Sequence, residues 1–122
     1  MRILLLILFA SAFAQAEAAP ALKSCGTFSS PYSVSSPLTI AEIEKNEMQK
    51  TTAMLKKRAD LPKVPFAFMH GEWLSFKSRL RPGDEIVAFN SGGDSWHHLA
   101  GEMGYAMLRG GCVIETLVTM RH

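Results

Sequence analysis

Two cysteines, Cys25 and Cys112, stand near opposite ends of the chain that follows an apolar leader, and a bond between them would tie the first residues of the fold to its last strand. The leader makes that bond the expected state. Met1-Arg2 precedes an apolar run over residues 3–14, interrupted only by Ser11, and a small-residue stretch, Gln15-Ala16-Glu17-Ala18-Ala19, the layout of a secretory signal peptide over residues 1–18, cut after Ala16 or Ala18. The run is too short to span a bilayer, which takes roughly 20 residues, so no stable membrane span is expected once the leader is removed. An even cysteine count in an exported chain is read as a disulfide before free thiols. Closing so long a loop is worth on the order of 4 kcal/mol by chain entropy. A lipid-attachment reading of Cys25 fails, because Lys23 puts a charge where a small or apolar residue belongs.

About a hundred residues remain after the leader, enough for one small unit with a modest core. The formal charge of +2 is too small to point to nucleic acid, and export argues against that partner as well. No Asn-x-Ser/Thr acceptor occurs, which leans towards a bacterial periplasm over a glycosylating secretory route.

Residues 19–37 are rich in Ser and Pro and carry no helical or strand period; they read as an extended arm in front of a small α+β domain over 38–122. Thr39-Ile40-Ala41-Glu42 is a capping box opening a helix over residues 40–59, with glutamates early and Lys56, Lys57 and Arg58 late, the order a helix dipole favours. Residues 73–80 alternate in the manner of a strand. Arg81-Pro82-Gly83-Asp84 is a turn, and residues 85–90 return as the partner strand, setting Phe76 against Phe89 and Ser78 against Val87. A second hairpin pairs residues 105–109 with 112–120 around Gly110-Gly111. That register puts Tyr105, Met107, Cys112, Ile114 and Val118 on one face and Ala106, Leu108, Val113 and Leu117 on the other. With both faces apolar, the sheet should be covered on both sides. The expected fold is therefore α+β: one N-terminal helix on a four-stranded antiparallel sheet made of two β-hairpins, stapled from Cys25 to Cys112.

The first hairpin would project Trp73, Lys77 and Arg79 from one side, and Trp96 adds a second indole. Exposed Trp and Arg are what protein-binding patches are enriched in. A further cluster lies in residues 91–103. Trp96, Leu99, Ala100 and Met103 have helical spacing, so a turn capped by Asp94 or Ser95 would expose His97, His98 and Glu102 and make His98 and Glu102 neighbours. Those three are candidate metal ligands, one short of a closed zinc site. Gly93-Asp94-Ser95 resembles the nucleophile box of GDSL-type hydrolases over three residues, and a Ser95–His98 pair is the corresponding candidate. The Asp-x-x-His pair those enzymes carry near the carboxyl end is missing, and no Gly-x-Ser-x-Gly elbow occurs.

Taken together, these features predict a small exported, non-enzymatic binding protein of the periplasm or secreted space, acting as an inhibitor or accessory subunit for a protein partner without a cofactor. A small metal-binding protein using His97, His98 and Glu102, and a small hydrolase using Ser95 and His98, are the alternatives.

Overall fold

The computed structural model describes residues 25–122, which run β1 (Ser33–Val34), α1 (Ile40–Leu55), a 3-10 turn (Ala67–Met69), α2 (His70–Ser78), β2 (Glu85–Asn90), α3 (Gly93–His97), β3 (Glu102–Arg109) and β4 (Cys112–Arg121). The expected leader and the first part of the arm lie outside the described residues. The four strands form one antiparallel sheet in the order β1-β2-β3-β4. Among the described residues no helix is long and apolar enough to cross a membrane.

The α+β layering holds, with α1 beginning at the capping box. The Glu42 N–H donates to Thr39 Oγ1 (3.1 Å), and the Thr39 N–H donates to Glu42 Oε1 (3.3 Å). The helix stops at Leu55, short of the expected Ala59. Lys57 and Arg58 both donate their N–H groups to the Met54 carbonyl at 2.9 Å, which closes the end and turns the chain so that Leu61 can be buried. Pro62 reinforces this, because the residue before a proline avoids helical geometry. The buried stripe of α1 is Ile43, Glu47 and Thr51, spaced by four.

The first expected hairpin is absent. Residues 70–78 are helix α2, and Trp73 and Phe76 point into the core instead of alternating along a strand. Met69, Trp73, Phe76 and Leu80 fall at i, i+4, i+7 and i+11, a helical stripe whose first member precedes the apparent alternation. The expected pairings of Phe76 with Phe89 and of Ser78 with Val87 do not form, because β2 pairs with β3 on one side and with β1, drawn from the arm, on the other. Ahead of α2, Phe66 and Ala67 adopt positive φ (68° and 48°), a left-handed bend that costs roughly 1 kcal/mol or more per residue. The bend seats Phe66 between Trp73, stacked at 4.9 Å, and Tyr105, edge-on at 5.6 Å.

The second hairpin forms as expected. Arg109 faces Cys112 across Gly110-Gly111, whose φ values of 57° and 79° suit a two-residue turn. Register shifts between Met103 and Gly104 and between Met107 and Leu108 leave Thr119 and Ile114 as extra residues on β4. One extra residue inverts every side chain beyond it. Leu117 therefore joins Tyr105 and Met107 on the helix side, while Val118 joins Ala106, Leu108 and Val113 on the other, the reverse of the expected assignment for these two.

Both faces of the sheet are covered. Ile86, Tyr105, Met107 and Leu117 meet Ile43, Phe66, Trp73 and Phe76 on the helix side. On the other side Phe28 and Tyr32 from the arm pack on Val87, Phe89 and Ala106. The Cys25–Cys112 disulfide forms, with Cα atoms 4.9 Å apart. Beside it the Val113 N–H donates to the Gly26 carbonyl (2.7 Å). From there the arm crosses the sheet to its far edge, pairing Ser33 with Asn90 and Val34 with Phe89.

Candidate functional site

Of the residues singled out as a binding surface, Trp73 is fully buried. Its indole N–H donates to Glu44 Oε2 (3.1 Å), and Lys77 Nζ donates to the same oxygen (3.3 Å) while lying 5.8 Å from the Trp73 ring centre. The Trp73 N–H, and after it Lys77, hold the Glu44 carboxyl below the usual carboxylate range. Trp73 and Lys77 thus clamp α2 to α1. Arg79, two residues beyond Lys77 and about 200° further round the helix, turns the other way. Its Nε donates to Glu115 Oε2 (2.7 Å), its Nη2 to Glu115 Oε1, and its Nη1 to Ser75 Oγ (2.7 Å). Trp96 lies at the opposite end of the sheet, donating its indole N–H to Asn90 Oδ1 (2.9 Å). The four residues do not form one surface; only Arg79 stands in a groove.

That groove, of about 420 Å³, runs between the end of α2 and the β3–β4 hairpin. Arg79, Arg81 and Arg109 line it together with Leu80, Met107, Ile114 and Glu115. Local chemistry fixes each wall. The Asp84 N–H donates to the Arg81 carbonyl (3.0 Å), and the Arg81 N–H donates to Asp84 Oδ2 (2.9 Å), closing the turn between α2 and β2. The pairing of Glu85 with Leu108 then brings Arg109 alongside, where its Nε and Nη2 donate to the two Asp84 oxygens at 2.9 and 2.8 Å. This fork is the planar match of guanidinium to carboxylate. It holds the Asp84 carboxyl at about 2, Arg109 contributing most and the Arg81 N–H next. The Arg79 and Arg109 guanidiniums are correspondingly held in their charged form by Glu115 and Asp84. Among the described residues the Arg81 guanidinium has no carboxylate partner.

Arg81, Arg109 and Ile114 carried no sequence signal as site residues, because Arg109 reaches Asp84 only through the sheet register. An Asp closing a Pro-Gly turn beside two arginines, Arg79 and Arg81, was the one local hint.

The second cluster sits on α3 and the loop after it. The expected side-chain cap is absent: Gly92 precedes the helix, and neither Asp94 nor Ser95 caps it. Ser95 Oγ donates to the Ser91 carbonyl (3.4 Å), and His98 Nδ1 donates to the Asp94 carbonyl (2.7 Å), so each side chain is bonded to backbone and not to the other. Glu102 is not on the helix with His98. It opens β3, accepts the Tyr32 hydroxyl (2.8 Å) and donates its N–H to Ser91 Oγ (2.9 Å). Among the other histidines, His70 Nδ1 donates to the Pro65 carbonyl (2.9 Å), and the His122 ring lies 6.1 Å from that of Trp96. Among the described residues no three His, Cys, Asp or Glu side chains gather as a metal site would require.

A second depression, of about 550 Å³, lies between α1 and the sheet over Tyr105, with Leu38, Ala88, Ala53 and Lys50 around it. Beneath it the Tyr105 hydroxyl donates to Glu47 Oε1 (2.6 Å), and Lys50 Nζ donates to the same atom (2.9 Å).

No protein-family model, curated protein or solved structure matches this chain, so the site rests on its own geometry.

Proposed function

We propose that this chain is an exported, non-enzymatic binding module that engages a protein partner in the periplasm or extracellular space, with the groove between α2 and the β3–β4 hairpin as its contact surface. The observation that carries the reading is the groove itself: three arginines beside the partly open side chains of Leu80 and Ile114, above the buried Met107, mounted on a helix end and a hairpin. Arginine beside exposed apolar surface is the composition of interface centres. Binding is favoured over catalysis because Asp84 and Glu115, the carboxylates closest to hand, are each forked to an arginine. Such pairs fix geometry and do not leave an acid or base poised near neutrality. Export is supported by the leader composition of residues 1–18 and by the disulfide, a bond that persists in oxidising compartments.

The test is capture from an envelope extract on immobilised, oxidised mature protein, comparing wild type with an Arg79→Ala/Arg81→Ala variant of unchanged circular dichroism. A partner retained by the wild type and lost by the variant is the expected result. Equal retention by both removes the groove as the contact surface.

A further inference from the structure

With the groove taken as the contact surface proposed above, we infer that it reads a free carboxylate carried on an apolar residue, the chemistry of a polypeptide's own C-terminus. Three guanidiniums line the groove and two carboxylates answer them, leaving one positive charge unmatched. The donors are also unequally spent. Arg79 commits three of its five N–H groups, two to Glu115 and one to Ser75. Arg109 commits Nε and Nη2 to Asp84, and its Nη1 has no acceptor among the described residues. The Arg81 guanidinium likewise makes no side-chain hydrogen bond or close ion pair among them, its charge reaching Asp84 only at longer range. Open N–H groups, most of them on Arg81 and Arg109, with one positive charge in excess suit a monoanion that accepts from both.

A phosphate fits less well. Its second charge would enter a site already holding Asp84 and Glu115, and like charges at such range repel. The floor narrows the ligand further. Partly buried Leu80 lies below and Ile114 is 42% exposed at the rim, with Met107 fully buried beneath them, so one apolar side chain attached to the carboxylate finds a small surface to cover. Two partly open apolar side chains, Leu80 and Ile114, are too short a floor for an acyl chain, which distinguishes a terminal residue from a fatty acid. Capture of a C-terminal carboxylate by converging donors, there backbone N–H groups, is an established mode of peptide recognition. Asp84 and Glu115 then act as positioning residues that hold Arg109 and Arg79 in place.

The experiment uses the oxidised mature protein, nitrogen-15 labelled, titrated with acetyl-Gly-Gly-Leu bearing a free carboxylate. The same peptide as its C-terminal amide, inorganic phosphate and octanoate are the comparison ligands. Saturable shifts at the Arg81 and Arg109 Nε–H signals and at the Ile114 amide are expected with the acid. Amidation should weaken binding about tenfold or more, the loss of a charge-assisted hydrogen-bonded pair. Arg81→Gln, on the exposed turn, should bring the acid down to the level of the amide and leave the amide unaffected. Equal affinity for acid and amide, absence of shifts up to millimolar peptide, or tighter binding of phosphate or octanoate each overturns the inference. If capture still depends on Arg79 and Arg81 while acid and amide bind alike, the carboxylate reading falls and the binding module stands.

Discussion

Asp84 receives, at one carboxylate only 2% exposed, the Arg81 backbone N–H and the fork of Arg109. Its ordinary value of 3.8 is lowered to about 2 in the fold, so the sign of its contribution follows. The stabilisation is present above about pH 4 and is lost as pH falls from there through about 2. Urea midpoints measured between pH 6 and pH 2 should therefore drop steeply over the last two units, and Asp84→Asn should flatten that part of the profile. An unchanged profile in the variant would show that the fork contributes nothing. Gly104 offers a second test on a single residue. It sits in β3 opposite the bulged part of β4, and a Cβ there would collide with the Leu117 carbonyl. The expected cost of Gly104→Ala is about 3 kcal/mol in chemical denaturation; a loss under about 0.5 kcal/mol would mean the strands can part without penalty.

Among the elements, what was legible in the sequence was local: the capping box of α1, the Gly110-Gly111 hairpin and the turn at 81–84 all follow from residues a few positions apart. Helix α2 looks like a strand because Leu74, Phe76 and Leu80 alternate when the segment is taken from residue 73, whereas Met69, Trp73, Phe76 and Leu80 form a helical stripe once Met69 is included. The bulges on β4 leave no mark in composition, so Leu117 and Val118 were assigned to the wrong faces. The groove was illegible for the same reason that Arg109 was: its walls meet through tertiary register, not spacing. Helix α1 also buries Glu47, which accepts the Tyr105 hydroxyl across the helix–sheet interface. Burial first, and then the adjacent Glu47, push the Tyr105 phenol well above its ordinary value of 10. Tyr32, bonded to Glu102, is pushed in the same direction. These are the chain's two tyrosines. A folded value above the unfolded one means that the neutral phenol is favoured by the fold, a contribution present below about pH 10 and lost as pH climbs past it. Absorbance at 295 nm should show no more than one of the two phenols titrating near pH 10 in the folded protein, the Tyr105 signal rising later and together with loss of ellipticity. Two phenols ionising at 10 with the fold intact would contradict the Tyr105–Glu47 contact.

For the molecule as a whole, the disulfide and the arm act together. Cys25–Cys112 closes a loop over a sequence separation of 87 residues and fixes the start of a segment that crosses the sheet, stacks Phe28 on Phe89 at 4.9 Å and pairs with β2. Replacing both cysteines by Ser should cost on the order of 4 kcal/mol, with faster amide exchange along Val87 and Phe89 as the arm loosens. A Tm unchanged by reduction would show that packing of Phe28 and Tyr32 alone holds the arm. The staple leaves the groove on the helix side of the sheet, facing away from the arm, where a partner can reach it. Hydrogen–deuterium exchange of the oxidised protein, with and without a partner retained in the proposed capture experiment, tests this placement most directly. Slowed exchange over residues 78–81 and 107–115 is the predicted result; slowing confined to the α3 region, residues 93–99, would contradict the groove as the binding surface.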